Sequence, residues 1–285
     1  MSEFPWFASY PQGVPHEIDP DVYPNLSAVL DESAKKFPNH VGYTNLGADA
    51  TYAQMKGYAE SFAAYLQSLP DMKPGDRIAL MMPNLLQYVA AVFGILKAGM
   101  VVVNINPLYT PREVNHTLKD SGAKAIVVIE NFARTVQKAL DGAPCCHFIT
   151  TGAGDWLVNF IIRRVKKMVP EYSLPNPVMW TDALKIGRRL GFKPVEVTND
   201  QLAFLQYTGG TTGIAKGAEL THRNVAANIL QVSAWISSTF KEDEEVVLTA
   251  LPLYHIFSLT ATLVFTKWAA TMVLITNPRD INKLV

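Results

Sequence analysis

A run rich in glycine and hydroxyl side chains, residues 205–217, carries the clearest chemistry in this sequence. It reads Leu205, Gln206, Tyr207, Thr208, Gly209, Gly210, Thr211, Thr212, Gly213, Ile214, Ala215, Lys216 and Gly217. Glycine lets the backbone approach a ligand and adopt positive φ, so that successive backbone N–H groups can surround an anion. Threonine hydroxyls and a lysine add donors and positive charge for phosphate oxygens. These residue types predict a phosphate-binding loop after a buried strand that begins at Leu202.

Two better-known phosphate-binding patterns do not fit the order of these residues. The Walker pattern needs Gly-Lys followed by Ser or Thr, whereas this sequence has Lys216, Gly217 and Ala218. Residues 209–213 do not supply the dinucleotide-binding pattern Gly-x-Gly-x-x-Gly either. We therefore predict a phosphate loop of another kind. The alternative interpretation is a glycine-rich turn without a ligand.

The stretch from Tyr207 to Gly217 resembles the phosphate-binding signature of the adenylate-forming enzymes, which include acyl-CoA synthetases, peptide-synthetase adenylation domains and luciferases. That signature is a run of hydroxyl and glycine residues followed by Gly-x-x-Lys-Gly, and residues 213–217 match its ending. The flanks 205–207 and 221–224 are similar to those of bacterial long-chain fatty-acid–CoA ligases. Residues 104–109 and 251–255 resemble two further segments of the family in the expected order.

The resemblance implies that ATP activates a carboxylic acid. The acid oxygen attacks the α-phosphorus, pyrophosphate leaves, and the thiol of coenzyme A then displaces AMP from the acyl-adenylate. Such a displacement needs the charge on the leaving phosphates to be neutralised. The implied cofactors and co-substrates are ATP, Mg²⁺ and coenzyme A, and the implied acid is a fatty acid.

The family resemblance also assigns residues to roles. The nucleotide-binding set is Tyr207, Thr208, Gly209, Gly210, Thr211, Thr212, Gly213, Lys216 and Gly217, and either Thr211 or Thr212 contacts Mg²⁺. The acid-binding set is Tyr254, His255 and Trp235. A histidine before a helix is often structural, and an aromatic residue at helical spacing often belongs to the core. Those alternatives stay open for His255 and Trp235.

Strand-like and helix-like segments alternate along the chain, which predicts a parallel sheet with helices on both faces. Strands are predicted at 41–46, 78–82, 101–104, 125–129, 148–150, 202–205, 244–250 and 272–276. Helix starts are predicted at Thr51 and Thr110, where Gln54 and Glu113 complete capping boxes, and also at Asn84, Asn131, Thr181 and Thr221. Gly122 is expected to end the helix that begins at Thr110.

The resemblance implies an α/β fold, the N-terminal part of an acyl-CoA synthetase-like large domain with two stacked α/β subdomains and mostly parallel sheets. We expect residues 76–197 to form the first subdomain, and 24–75 with 198–285 to form an incomplete second one. The family's later Tyr-Gly-x-Thr-Glu motif, its ribose-binding Asp and its C-terminal lysine domain are not found before Val285. We therefore expect a truncated chain with little or no ligase activity of its own.

Composition indicates a globular protein with a sizeable core. The chain has 285 residues, of which 49% are apolar and 18% charged, and this excludes a disordered chain. A formal net charge of zero argues against a general nucleic-acid-binding protein. The adjacent Cys145 and Cys146 give neither a disulfide framework nor a metal-binding spacing, and they indicate a reducing cytoplasm.

Three stretches bear on membrane contact. Residues 78–96 and 246–266 carry no charged side chains, but Pro83 and Pro252 interrupt them, so we expect buried elements and not membrane spans. The first residues predict no signal peptide. Residues 156–169 form a basic amphipathic pattern that suits either a surface helix docked on its own domain or a helix in a membrane interface. A peripheral location on the inner membrane is therefore left open.

Four functions remain open from the sequence. The leading hypothesis is the N-terminal portion of a long-chain fatty-acid–CoA ligase. A ligase of the same superfamily for aryl or short-chain acids is the second, and a non-catalytic nucleotide-binding module is the third. A membrane-interaction module built on 156–169 is the fourth. The sequence does not decide the oligomeric state, and a homodimer is one option.

Overall fold

The structure, a computed structural model, describes residues 4–156, 169–208 and 215–279. Its strands are β1 (Val41–Asn45), β2 (Ala48–Thr51), β3 (Arg77–Met81), β4 (Val101–Asn104), β5 (Ala125–Ile129), β6 (His147–Thr151), β7 (Val178–Met179), β8 (Leu202–Thr208), β9 (Lys216–Thr221), β10 (Val246–Thr249) and β11 (Thr271–Leu274). Its α-helices are α1 (Ser27–Lys36), α2 (Tyr52–Ser68), α3 (Leu86–Lys97), α4 (Pro111–Ser121), α5 (Glu130–Gln137), α6 (Trp180–Leu190), α7 (His222–Ile236) and α8 (Ile256–Lys267). Residues Pro5–Ser9 form a short 3-10 helix.

Two sheets organise these elements. The larger sheet has the order β7-β6-β5-β3-β4-β8-β9, and all of its neighbouring strands are parallel except β8 and β9. The smaller sheet has the order β10-β11-β1-β2, in which only β1 and β2 are antiparallel. The predicted α/β class with mostly parallel sheets is confirmed.

Alternating residues of the central strands enter hydrophobic clusters on opposite faces of the larger sheet. Ile78 and Leu80 join the cluster that includes α2 and α3, whereas Ala79 and Met81 join the cluster that includes α4 and α5. Every residue of α3 is buried, because this helix packs mainly against α2 and also contacts β3 of the larger sheet and β1 of the smaller one. Strands buried on both faces become continuously apolar, which explains the uncharged stretch 78–96.

The predicted helix starts have mixed outcomes. Capping boxes form at Thr51 and Thr110 as predicted, and Gly122 ends α4 with a left-handed φ of 65°. The helices predicted at Thr181 and Asn131 are present, but neither residue is the helix cap. These helices, α6 and α5, begin at Trp180 and Glu130, directly after short or buried strands and without a side-chain cap.

The division between the two sheets does not coincide with the proposed subdomain boundary at residues 197 and 198. Strands β8 and β9 lie after that boundary, yet β8 pairs with β4 inside the larger sheet. Helix α2, placed in the second subdomain by the sequence, packs against α3 and α6. The subdomain division stays a proposal. If the subdomains were divided by sheet, the boundary would fall after Thr221, the last residue of β9.

The amphipathic segment falls largely outside the described residues. Only Trp156 and Val169 of that segment are described, and the Trp156 ring packs edge-on against Tyr58 of α2 at 4.2 Å between centroids. Within the described part of the chain, no helix combines the length and apolarity that crossing a membrane requires.

A buried histidine joins the start of α1 to the start of α7. The Leu26 backbone N–H donates to His222 Nδ1 at 3.1 Å, and the His222 side chain is 1% exposed. Burial lowers the pKa of His222 from 6.5 to about 4. A charged His222 is therefore disfavoured in the folded chain.

We predict that this histidine makes folding sensitive to mild acid. Below pH 6.5 the unfolded chain binds a proton that folded His222 accepts only near pH 4, so stability falls as the pH drops through this window. Between about pH 7 and pH 5 the loss should be about 2 kcal/mol, measured by urea unfolding. His222→Asn keeps an acceptor but does not titrate, and it should reduce the pH slope. Equal slopes in the two proteins would contradict this assignment.

Candidate functional site

The carboxyl ends of six parallel strands lie along one edge of the larger sheet. These strands are β3, β4, β5, β6, β7 and β8. The chain passes from β3 to β4 on one side and then to β5 on the other side of β3. Open α/β sheets bind ligands outside the carboxyl ends where the strand order reverses in this way. The segments that follow β3, β4 and β5 are therefore candidates for the site.

The predicted phosphate-binding loop starts and ends at this same edge. Thr208, the last residue of β8, lies opposite Lys216, the first residue of β9, and both are exposed. The loop residues assigned to phosphate or Mg²⁺ lie outside the described residues; they are Gly209, Gly210, Thr211, Thr212 and Gly213. The described flanks place a hydroxyl and an ammonium group at the carboxyl edge, and these groups suit a phosphate ligand.

Helix α4 supports the base of this hairpin. The Tyr207 hydroxyl donates to the Asp120 carboxylate at 2.6 Å, and His116 Nε2 lies 2.9 Å from the Ala215 carbonyl oxygen. Burial and the Asp120 charge raise the pKa of Tyr207, so this phenol remains a proton donor. A Cβ atom at Gly217 would lie 3.0 Å from the Tyr207 ring, and glycine therefore allows the close approach.

The side chain of Asn84 connects β3 to the segment that precedes α8. Its amide donates to the carbonyls of Thr249 and Leu251 at 3.0 and 2.9 Å, and its oxygen accepts from the Leu253 backbone N–H at 2.8 Å. The Asn84 carbonyl accepts from the Thr276 hydroxyl at 3.0 Å. The prediction that Asn84 caps α3 was wrong, because its polar atoms bind this distant segment and Leu85 stands at the cap.

A second buried polar network connects β8 to residues 253–254. The Tyr88 hydroxyl lies 2.5 Å from Asn104 Oδ1 and 3.0 Å from the Leu253 carbonyl. Asn104 donates to Gln206 Oε1 at 3.0 Å, and Gln206 donates to the Tyr254 carbonyl at 3.1 Å. The strand that leads into the predicted phosphate loop is thus held against the segment predicted to bind the acid.

A cavity of about 310 Å³ opens beside this junction. It is lined by Pro83, Asn84, Pro107, Leu108, Phe132, Ala250, Pro252, Tyr254, Ile275, Thr276, Asn277, Pro278 and Arg279. The lining is largely apolar, with amide and hydroxyl groups and one positive charge, Arg279. Burial raises the pKa of Tyr254, and the charge of Arg279 opposes that rise. The cavity is suited to an apolar ligand that carries an acidic group.

The structure separates the three residues assigned to acid binding. Tyr254 lines the cavity, whereas His255 is exposed at the start of α8, where its Nδ1 faces the Phe257 backbone N–H at 3.4 Å. His255 therefore stands as the N-cap of α8. Trp235 lies on α7, packs against Tyr10 at 5.1 Å between ring centroids, and lines a separate groove. Their roles in acid binding stay predictions.

The sequence did not single out Tyr88, Asp120 or His116. It included Asn104 and Gln206 only as members of family-like segments, without a role for either side chain. Asn104 and Gln206 are polar residues in otherwise apolar strands, and this pattern was the available signal, since buried polar groups require partners. Nothing in the local sequence connects His116 or Asp120 with a hairpin about 90 to 100 residues later.

These features define an α/β protein with a ligand crevice at the carboxyl edge of a mostly parallel sheet. Sequence comparison assigns its class. Residues 30–285 match the family described as AMP-binding enzyme, and the chain therefore belongs to the AMP-binding enzyme family.

The chain is similar to ligases of fatty acids. It is 49% identical to a long-chain-fatty-acid–CoA ligase of Escherichia coli O157:H7, over 98% of this chain and 51% of that protein. A protein of the same description from Haemophilus influenzae is 45% identical, over 98% and 52% of the two chains. The chain thus spans about half the length of the curated relatives it matches.

A solved structure supports the fold. An anthranilate CoA ligase in complex with anthranoyl-AMP aligns with a TM-score of 0.77 over 91% of this chain and 47% of that chain. At 19% sequence identity this likeness concerns the fold alone.

We predict that Tyr88→Phe destabilises the junction. The variant keeps the buried ring but removes the hydroxyl whose one hydrogen is available to Asn104 Oδ1 and the Leu253 carbonyl, so a buried acceptor loses its donor. The expected loss in free energy of unfolding is about 1–3 kcal/mol by urea denaturation. Tyr58→Phe is the matched control, because the Tyr58 hydroxyl has no hydrogen-bond partner among the described residues, and it should cost less than about 0.5 kcal/mol. Equal losses in both variants would refute the network's contribution.

Proposed function

We propose that this chain supplies the phosphate-binding and acid-binding half of a long-chain fatty-acid–CoA ligase. The full-length protein would use ATP to convert a fatty acid to its acyl-adenylate, and coenzyme A would then release AMP. The observation that carries this proposal is the hydrogen bond from Gln206 to the Tyr254 carbonyl. It joins the strand that enters the phosphate loop to the segment that lines the cavity.

That junction matches the geometric demand of the reaction. The acid must reach the α-phosphorus while the β- and γ-phosphates are held nearby, because an in-line displacement requires aligned reactants. Thr208 and Lys216 stand at the start and end of the phosphate loop, and the apolar cavity opens beside Tyr254. We assign phosphate binding to Thr208 and Lys216, and contact with the acid to the cavity beside Tyr254.

The choice of a long-chain acid rests on the sequence relatives. The relatives that are 45–49% identical are described as long-chain-fatty-acid–CoA ligases. The anthranilate ligase shares the fold at only 19% identity, so it gives no reason to prefer an aromatic acid. The largely apolar cavity lining agrees with an alkyl substrate.

Four finer points remain predictions within this proposal. Mg²⁺ is assigned to Thr211 or Thr212, and coenzyme A is the expected thiol. Contact of residues 156–169 with the membrane surface stays one of two interpretations, the other being a surface helix docked on its own domain. A homodimer remains one option for the oligomeric state.

Acid-dependent exchange between ATP and labelled pyrophosphate tests the proposed reaction. The protein to use is the product of the gene read past the codon for Val285, with palmitate, a short-chain acid and an aromatic acid compared. We expect exchange with palmitate and much less with the other two acids. Exchange with another acid alone would keep the mechanism and replace the substrate. ATP binding without any exchange would favour the non-catalytic nucleotide-binding module.

We predict that Lys216→Ala weakens the use of ATP. Lys216 is exposed at the end of the phosphate loop and forms no ion pair among the described residues, so its charge is available to a phosphate. Loss of a charge-assisted contact worth about 1.5–3 kcal/mol should raise the KM for ATP at least about tenfold. The KM for palmitate should change little.

The matched control for that variant is Lys241→Ala. Lys241 is 73% exposed and pairs only with Glu244, an exposed neighbour three residues away. It precedes β10 of the smaller sheet, whereas the loop joins β8 and β9 of the larger sheet, so the same charge is removed from another element. A similar rise in the KM for ATP in both variants would indicate a general charge effect and not a phosphate contact.

A further inference from the structure

Three side chains with metal-binding atoms converge at the amino ends of the parallel strands of the larger sheet. This is the side of the sheet opposite the candidate functional site. Asp71 lies between α2 and β3, and Cys146 and His147 lie at the start of β6. His147 Nε2 is 2.7 Å from Asp71 Oδ1, and Cys146 Sγ is 3.5 Å from Asp71 Oδ2. Among the described residues, this is the one group of three such side chains whose ligand atoms all lie within 4.8 Å of one another.

We propose that Asp71, Cys146 and His147 bind a zinc ion. Zinc favours a tetrahedral set of thiolate, imidazole and carboxylate ligands, with bonds of about 2.0–2.3 Å. Such bonds place neighbouring ligand atoms about 3.3–3.6 Å apart. His147 lies 2.7 Å from Oδ1 of Asp71 and Cys146 lies 3.5 Å from Oδ2, so the two separations lie on either side of these values or close to them. The exposed Asp71 carboxylate is free to adjust toward a shared ion. Water would complete the tetrahedron.

One residue, Lys124, holds all three ligand positions in place. Its backbone carbonyl accepts hydrogen bonds from the backbone N–H groups of Cys146 and His147 at 2.9 and 3.1 Å. Its ammonium group donates to the Asp71 carbonyl at 2.9 Å. The ligands therefore stand on a hydrogen-bonded scaffold before any ion arrives. Such preorganisation lowers the cost of ordering the ligands around an ion.

The charges around the cluster are compatible with a divalent cation. The Lys124 ammonium is paired with the buried Asp76 carboxylate at 2.9 Å, so its charge is already balanced. Binding would release the thiol proton of Cys146, and His147 would bind the ion through Nε2 with its ring proton on Nδ1. The resulting thiolate and the Asp71 carboxylate would together neutralise the charge of Zn²⁺.

The position of the cluster places the ion away from the proposed phosphate and acid sites. His147 is the first residue of β6, and Lys124 and Asp76 directly precede β5 and β3. The cluster therefore lies at the amino ends of the parallel strands, opposite the proposed phosphate and acid sites. The ion would cross-link the α2–β3 connection to β6. This inference does not depend on the proposed ligase activity.

The test measures metal binding on the chain itself. Zn²⁺ affinity is measured by competition with a chromophoric chelator, and Co²⁺ serves as a spectroscopic probe. We expect a sulfur-to-cobalt charge-transfer band in the near ultraviolet that disappears in Cys146→Ser. Asp71→Asn and His147→Gln should each weaken Zn²⁺ binding at least about tenfold. Circular dichroism verifies that each variant is folded.

Cys145→Ala is the matched control. Cys145 is buried, and its thiol lies 3.9 Å from the His147 carbonyl oxygen, outside the ligand set. This variant should retain the cobalt band and the zinc affinity of the original chain. Zinc affinity that is unchanged in Cys146→Ser, or a cobalt band that depends on Cys145, would overturn the proposal. Zinc should also raise the melting temperature of the original chain and not that of Cys146→Ser.

Discussion

The arrangement of the candidate site depends on one buried side-chain amide, that of Asn84. Its donor and acceptor atoms are used by backbone groups of Thr249, Leu251 and Leu253, which lie about 165 to 169 residues later in the chain. Because Asn84 is 2% exposed, water cannot replace these bonds. The amide therefore fixes the smaller sheet and the segment before α8 against the carboxyl end of β3. The cavity beside Tyr254 exists because these parts are held together.

A second amide, Gln206, extends this constraint to the predicted phosphate loop. The series Tyr88, Asn104, Gln206 and Tyr254 runs from helix α3 through two neighbouring strands to the acid segment. Each member is hydrogen-bonded, and such a buried hydrogen-bond network favours one arrangement over its alternatives. Such a network suits a site that must align two substrates, since small displacements of reacting groups cost much of the rate.

The sequence predicted the local features of this fold better than its long-range contacts. The capping boxes at Thr51 and Thr110 depend on residues three positions apart, and both were identified. Asn84 is of a residue type that often caps helices, and it stands just before one. Its hydrogen-bond partners lie far away in sequence, so the neighbouring residues alone suggested the wrong role, that of a helix cap. The same limit explains why strand β9 was missed. None of its residues is fully buried and they are mixed in polarity, so only pairing with β8 makes them a strand.

The glycine that ends the phosphate signature also has a packing role. Gly217 lies opposite Tyr207, and a Cβ atom there would approach the ring to 3.0 Å. The ring must occupy that space because its hydroxyl reaches Asp120 on α4. A side chain at position 217 would displace the ring or the strand, and it would loosen the base of the loop without touching a ligand. The signature thus combines residues suited to phosphate with a residue that seats the hairpin on α4, and sequence alone cannot separate these two contributions.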